Sequence, residues 1–392
     1  MVFKGSKLVF ELLPQSPLIH FQHDENGATV RASEMKPKLD RFLVAQFKRE
    51  GIDYSAWISK VNDNTKAEAL SYKLRMVSSR TYKVDLKKYP IFFGNMGNDN
   101  QKMGIISYPK VTITCFKKGL QEQIQKYLPS FFWVTNFGTM QSKGFGGFLP
   151  SINNFDETSI IKAFHQAGAK AVYKMNFDAE AIKDIGSNLD VSSSVRMFEE
   201  IKKYYGIMKS GQNFKGYARS YIYEYMHQNF HIDNEKAWMK ENGISPNLER
   251  NHSRDVYQTN PNPRYVRAMY GKGDTIRYQS NDRGRPVNVS IKPAKSQREK
   301  IERIPSAILF KIIGKIVYIL GLEIPEEIYD KEFDFKGYKK DVLATPSKKD
   351  FEDYGGKFPV EDFLDNYMTY YNGKLRRAIR DMADYQMVVK CE

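Results

Sequence analysis

Three glycines close together in the segment MQSKGFGGFLP, residues 140–150, set the strongest constraint on how this chain can fold. Gly144, Gly146 and Gly147 allow the backbone to take a positive φ and to approach a partner more closely than other residues can. Exposed backbone N–H groups beside Lys143 would form a concave site for an anion such as phosphate. The spacing matches neither GxGxxG nor GxxxxGK(S/T), the usual nucleotide-binding patterns. The sequence therefore leaves two interpretations open, a plain glycine turn and a loop that holds a phosphate group.

Apolar spacing in the first 152 residues alternates between strand and helix patterns. Residues 7–13 predict a strand, and Pro37 is suited to the first position of a helix. Later segments continue the alternation, with strands at residues 82–93 and 105–116, a helix at 117–134 and a last strand at 145–152. The order strand, helix, two strands, helix, strand is typical of a ferredoxin-like or RRM-like unit.

The second half of the chain repeats this mixture. Helices are predicted near residues 195–208 and 217–230, strands at 275–279 and 287–292, and a strand pair that turns near Gly314 at 307–320. We therefore expect an α+β protein of two tandem ferredoxin-like (RRM-like) domains. The first, residues 1–152, contains the glycine-rich loop, and the second, residues 153–392, contains helical and basic insertions.

The overall charge favours a polyanionic partner. The 392 residues carry a formal net charge of +15, which favours nucleic acid ahead of an anionic membrane.

The most apolar stretch, residues 307–322, is too short to span a bilayer and contains Lys311 and Lys315. The start of the chain lacks the apolar core of a signal peptide, so we expect a cytoplasmic protein. Because Cys115 and Cys391 are the only cysteines and lack CxxC spacing, we expect no disulfide framework and no metal site formed by thiolates. We also expect no other metal site and no cofactor.

Positive charge is concentrated in residues 251–304, which contain 12 Lys or Arg against 5 Asp or Glu, a net +7. Four tyrosines alternate there with four cations: Tyr257, Tyr265, Tyr270 and Tyr278 with Arg264, Arg267, Lys272 and Arg277. Aromatic rings among cations are what a single nucleic-acid strand needs for base stacking and phosphate contact. The alternative is a solvated loop whose tyrosines are anchored in the core.

Three segments together resemble the RAMP proteins of CRISPR systems. They are LLPQSPLIHFQHDENGATVRASEMKPKLDRFL (residues 12–43), FGTMQSKGFGGFLP (residues 137–150) and RIPSAILFKIIGKIVYIL (residues 303–320). The first is similar to the opening strand, loop and helix of that superfamily, the second to its glycine-rich loop, and the third to a strand pair in its second half. The stretch from Arg31 to Lys36 is most similar to the first RAMP subunit of the Cmr (type III-B) effector complex.

This resemblance implies a non-catalytic, RNA-binding subunit of a crRNA-guided complex, located near the end of the guide–target duplex. Its implied partners are crRNA, target RNA and other RAMP-type subunits. Phosphate contacts of this kind position RNA without reading its sequence. The residues that we expect to contact RNA are Arg31, Lys36, Arg41, Lys143, Gly144, Phe145, Gly146, Gly147, Arg264, Arg267, Lys272 and Arg277.

An alternative function is a metal-independent endoribonuclease that cuts precursor crRNA or target RNA. His20, His23 and Asp24 lie in one predicted loop, and a histidine pair can act as general base and acid when a 2′-hydroxyl attacks its own phosphate. Structural or surface roles are the other interpretation of these residues. His227 and His231 are four residues apart on a predicted helix and could both ligate a metal ion. The carboxylate of the HExxH metal-binding pattern is missing, however, so the sequence gives little support to such a site.

Overall fold

A computed structural model describes residues 2–20, 29–61, 68–90, 103–151, 156–185, 188–211, 218–245, 262–271, 275–278, 287–294, 306–375 and 385–392. In these residues the α-helices are α1 (Ala32–Glu50), α2 (Lys118–Val134), α3 (Glu157–Gln166), α4 (Ser192–Ser210), α5 (Tyr221–Phe230), α6 (Glu235–Glu241) and α7 (Val360–Tyr370). The strands are β1 (Lys7–Pro14), β2 (Ile58–Val61), β3 (Glu68–Leu70), β4 (Tyr72–Asp85), β5 (Met103–Cys115), β6 (Phe148–Pro150), β7 (Ala169–Asn176), β8 (Lys183–Ile185), β9 (Asn188–Asp190), β10 (Asp233–Asn234), β11 (Pro263–Arg264), β12 (Thr275–Tyr278), β13 (Val287–Pro293), β14 (Ile308–Ile313), β15 (Ile316–Leu322), β16 (Glu332–Lys336), β17 (Lys340–Ala344) and β18 (Val389–Lys390).

The first sheet contains β4, β5, β1 and β6 in that spatial order, and each neighbouring pair is antiparallel. Helices α1 and α2 cover one face of it, because their apolar side chains share one core with alternate residues of the strands. Leu12 of β1, Leu43 of α1 and Phe131 of α2 are fully buried in this core. Along the chain the order is strand, helix, strand, strand, helix, strand, with the β2–β3 hairpin inserted before β4.

The second sheet has the same arrangement, with β14, β15, β7 and β18 side by side and antiparallel. Helix α4 packs on it through Tyr204, whose ring centroid is 6.3 Å from that of Phe310 in β14. Helix α7 packs so closely that a Cβ on Gly321 of β15 would lie 2.6 Å from Cδ1 of Leu364. A further sheet, in the order β12, β13, β16 and β17, is inserted between these elements.

The structure confirms the mixed α+β class and several predicted elements. The helix predicted at residues 117–134 is α2, and the apolar residues 307–322 form β14 and β15, which turn at Gly314 with a φ of 59°. In the part of the chain that the structure describes, no helix is long and apolar enough to cross a membrane.

Several predicted boundaries are wrong. In the described residues, the last strand predicted at residues 145–152 is a strand only at Phe148–Pro150. Helix α1 begins at Ala32, so Pro37 lies inside the helix instead of at its first position. The strand predicted at residues 82–93 is β4, which begins ten residues earlier because its pairing with β5 starts at Tyr72 and Cys115.

The glycine segment lies inside the protein, where it joins the two sheets. The Gly146 N–H donates to the Pro17 carbonyl (2.9 Å), and the Gly146 carbonyl accepts from the Phe137 N–H (2.9 Å). The Ser142 carbonyl accepts from the N–H of Phe310 in β14 (3.0 Å). Main-chain hydrogen bonds therefore hold this segment to the first unit on one side and to the second sheet on the other.

The glycines in this segment are needed for two different reasons. Gly144 and Gly146 have positive φ values, 92° and 73°. Gly147 does not, contrary to expectation, but a Cβ there would lie 3.2 Å from the Ser16 Oγ. A Cβ on Gly146 would lie 1.9 Å from the Phe137 carbonyl oxygen. At Gly146 any larger residue therefore requires the backbone itself to move.

Replacing Gly146 by Ala is expected to destabilise the protein by about 3 kcal/mol, because the new Cβ would overlap a backbone carbonyl in addition to straining φ. Gly51 is a matched control, since its φ is 67° and nothing lies within 4 Å of its Cβ position. Gly51→Ala should cost only about 1 kcal/mol of conformational strain. Denaturant unfolding of both variants measures the difference, and equal losses would contradict the tight fit at Gly146.

Candidate nucleic-acid interface

The N–H groups of all three glycines in the glycine segment donate to acceptors within the protein. Gly144 donates to the Gln141 carbonyl (3.2 Å), and Gly147 donates to the Ser16 Oγ (2.8 Å). Phe145, between them, is fully buried. The expectation that this loop exposes amide donors to a phosphate is therefore wrong, because those donors satisfy acceptors of the protein itself.

Lys143 is also inside, with 7% of its surface exposed. Its Nζ lies 3.1 Å from the centroid of the Tyr205 ring and has no hydrogen-bond partner among the described residues. Burial, and after it the nearby Lys209, lowers the pKa of Lys143 well below its usual range. An amine in this position does not reach a phosphate at the surface, so the structure does not support the expected contact between Lys143 and RNA.

A second buried lysine links the glycine segment to the second sheet. The Lys311 Nζ donates to the Thr135 carbonyl (2.6 Å) and to the Asn136 Oδ1 (2.9 Å). Burial, with a smaller contribution from Lys38, lowers the pKa of Lys311 to about 7. The Asn136 Nδ2 in turn donates to the Phe310 carbonyl (3.1 Å). The Asn136 side chain, which belongs to the first unit, is therefore hydrogen-bonded twice to β14 of the second sheet.

The three cations expected at α1 have different surroundings. Lys36 forms an ion pair with Asp40 (2.7 Å), and its Nζ lies 4.2 Å from the centroid of the Tyr72 ring. Its charge is therefore used within the first unit. Arg31, directly before α1, and Arg41, within it, are both exposed. Only these two arginines present their surface to a ligand here.

Two described arginines of the basic stretch, Arg264 and Arg267, are neutralised by acidic partners. The Arg264 Nε lies 3.3 Å from the Asp350 Oδ2, and the Arg267 Nε lies 3.0 Å from the Glu235 Oε1. Glu235 is fully buried, so this second pair is part of the interior. Both arginines stabilise the second unit in this structure instead of offering an uncompensated charge.

The tyrosines of this stretch face the core. Tyr265 and Tyr270 are each 1% exposed, which confirms for these two the alternative of anchored tyrosines and excludes stacking on a ligand in this conformation. Lys272 and Tyr257 lie outside the described residues, and for Arg277 only the backbone, in β12, is described. Their contact with RNA stays a prediction.

The candidate catalytic residues are not brought together by the described structure. His20 is buried, with 5% of its surface exposed, and His23 and Asp24 lie outside the described residues. The His227 Nδ1 lies 3.3 Å from the Asp233 Oδ1. Among the residues that the structure describes, no group of three or more His, Cys, Asp or Glu is arranged to hold a metal ion. Catalysis by this loop stays a hypothesis.

The face of the first sheet opposite α1 and α2 carries four exposed cations that the sequence analysis did not single out. We call this surface the open face and define it by Lys7 and Val9 of β1, Lys73, Arg75 and Val77 of β4, and Lys110, Thr112 and Thr114 of β5. The four cations make no ion pair with any other residue in the described ranges. Their charges are therefore available to a ligand.

Strand register places these cations next to one another. Thr114 of β5 pairs with Lys7 of β1 on one side and with Lys73 of β4 on the other. Two residues along, Thr112 pairs with Arg75, and Glu11 contributes a carboxylate opposite Lys110. The alternation of residues in YKLRMV, 72–77, is the sequence signal that could have identified this face.

Replacing the buried Lys143 by Met is expected to raise the melting temperature at pH 7. The pKa of Lys143 is lowered in the folded state, so the cost of this lysine is fully present below that pKa and disappears as pH rises to about 10.4, the pKa of an unfolded lysine. The gain from Lys143→Met should therefore shrink between pH 7 and pH 10, and RNA affinity should not change.

Lys311→Met is the matched control, because it removes the donor of two hydrogen bonds and leaves two buried acceptors unsatisfied, at a cost of about 1–3 kcal/mol each. Melting curves across this pH range distinguish the two lysines. A lower melting temperature for Lys143→Met would show that the Lys143 amine stabilises the fold, and a gain that does not vary with pH would show that the charge of Lys143 is not the source of its cost.

Two family models match the chain, one in each half of the sequence. The Cmr1 N-terminal domain model matches residues 5–212, and the Cmr1 C-terminal domain model matches residues 217–387. The chain is also similar to the crystal structure of Cmr1 from Pyrococcus furiosus in its apo form, with 10% sequence identity and a TM-score of 0.35 over 81% of this chain and 88% of that one. The comparison with curated proteins gives no match. Because the two domain models together cover nearly the whole sequence, the chain belongs to the Cmr1 family, a RAMP subunit of type III-B CRISPR effector complexes.

Proposed function

We propose that this chain is the RNA-binding subunit of a crRNA-guided Cmr complex, and that it contacts the backbone of the guide or of the guide–target pair through the open face. The role of such a complex is antiviral defence, and the proposed neighbours are other RAMP-type subunits. The observation that carries the proposal is the presence on one sheet face of four exposed cations that form no ion pair with a described residue, Lys7, Lys73, Arg75 and Lys110, against the single carboxylate of Glu11 opposite Lys110.

The contrast between free and neutralised cations supports this choice of surface. Arg264 and Arg267 are paired with carboxylates, and Lys143 is buried, so none of them gains from meeting a phosphate. A solvated cation that neutralises a phosphate releases the counterions condensed on the nucleic acid, and this release is the usual source of nucleic-acid affinity. The open face offers such cations from three adjacent strands.

Other residues predicted from the sequence have secondary parts in this proposal. Arg31 and Arg41 are exposed and add positive charge on the side of α1. The glycine segment acts indirectly, because it fixes the first unit to the second. Contacts by Lys272 and Arg277 are retained as predictions.

We further propose that both units are ferredoxin-like. The support is that each sheet has the chain order strand, helix, strand, strand, helix, strand and that the two outer strands of each sheet flank an antiparallel central pair. We keep the proposed domain boundary at residues 152 and 153, because every strand of the first sheet lies before it and every strand of the second lies after it.

The double variant Lys73→Gln with Lys110→Gln tests the proposed surface. It removes two exposed charges without touching the core, so it should weaken binding of single-stranded RNA about tenfold and reduce the salt slope by about 1.4, since each phosphate contact on a single strand contributes about 0.7. Fluorescence anisotropy at several salt concentrations, with the full-length chain, gives both quantities.

The double variant Lys162→Gln with Lys202→Gln is the charge-matched control, because both lysines are exposed and lie on helices away from the open face. It should retain RNA affinity to within about twofold, as exposed surface changes outside a site usually have small effects. If the two double variants weaken RNA binding equally, the loss comes from the lower net charge and not from the open face. If neither variant weakens binding, the open face does not contact RNA.

A further inference from the structure

One aromatic side chain beside the open face is in water. Phe116 directly follows β5 and is 81% exposed. Removing a phenylalanine ring from water is favourable, so most such rings are inside a protein. A single exposed apolar residue is common and needs no explanation by itself. Its position relative to the cations makes this residue informative.

The alternation of β5 places Phe116 on the same side as the open face. Val111, Ile113 and Cys115 are buried, and the intervening positions are at least partly exposed up to Thr114. Phe116 continues the outward-facing set by one more step.

The residue next to this ring in the outward set lies between two lysines. Thr114 pairs with Lys7 in one neighbouring strand and with Lys73 in the other. Lys118, two residues after Phe116, is also exposed. Phe116 therefore follows the end of the basic surface, two residues beyond Thr114 and two residues before the exposed Lys118.

We propose that Phe116 stacks on an unpaired base of an RNA strand whose phosphates lie along the open face. This inference rests on the proposed function and adds the class of ligand, which is single-stranded RNA. The faces of bases within a duplex are covered by their neighbours and do not accept the ring. Stacking tolerates any sequence, because every base has a π face, and it complements phosphate contacts that also do not read sequence.

The charge of the open face favours RNA over a protein as the occupant. The open face has four cations, none in an ion pair with a described residue, and one carboxylate, that of Glu11, around the apolar side chains Val9 and Val77, which are 48% and 51% exposed. A protein partner would need a separate acidic side chain for each of these cations. The backbone of a nucleic acid carries a phosphate at every nucleotide and so supplies a regular row of negative charges.

The test compares Phe116→Ala with Tyr338→Ala in the full-length chain. Tyr338 is a matched control, because it is 67% exposed and lies between β16 and β17, in another sheet. The probes are a single-stranded oligoribonucleotide, the same sequence as a duplex, and inorganic polyphosphate, which carries charge but no bases.

Phe116→Ala should weaken binding of the single strand about tenfold and leave the salt slope, duplex binding and polyphosphate binding unchanged. Phe116→Trp should restore or improve the affinity, and Tyr338→Ala should have no effect.

Unchanged single-strand affinity in Phe116→Ala would overturn the inference, as would an equal loss for polyphosphate. Restoration by Phe116→Leu as complete as that by Trp would also overturn it, because that pattern indicates an apolar contact with protein instead of stacking. Failure of the proposed function is distinguishable, since the Lys73→Gln and Lys110→Gln double variant would then bind RNA as the wild type does. If that double variant is weakened while Phe116→Ala is not, only the stacking inference fails.

Discussion

The close approach of Gly146 to the Phe137 carbonyl is the contact on which the arrangement of the two units depends. Without a side chain at this position, the segment passes between Phe137 and Pro17 and reaches the second sheet, where Ser142 accepts from the Phe310 N–H. Lys311 and Asn136 reinforce the same joint with hydrogen bonds in both directions. The glycines therefore serve the interior of the protein, and the ligand surface lies elsewhere.

Much of the fold could be predicted from local patterns, because helix α2 and the β14–β15 pair are determined by apolar spacing and a turn glycine. The start of α1 could not, since the preference of Pro37 for the first turn was outweighed by residues packed on either side of it. The role of the glycine segment could not be predicted either. Positive φ suits an anion-binding loop and an internal joint equally well, and the distinguishing partner, Phe310, is far away in the sequence.

The net charge of +15 favours a polyanionic partner, but it does not show which of the charges are accessible to one. The densest basic stretch contains Arg264 and Arg267, whose acidic partners lie on other elements. Lys73 and Lys110 are scattered in the sequence and become neighbours of the same surface only through strand register. A period-two pattern predicts that such residues share a face, whereas pairing decides which strands are adjacent.

The most direct test of this account is the position of RNA on the chain within the assembled Cmr complex. Photocrosslinking from 4-thiouridine placed along the guide and the target, followed by mass spectrometry of the linked peptides, identifies the residues in contact. The account predicts crosslinks in residues 7–11, 73–77 and 110–118. Crosslinks confined to residues 137–147, or absent from all three strands of the open face, would contradict it.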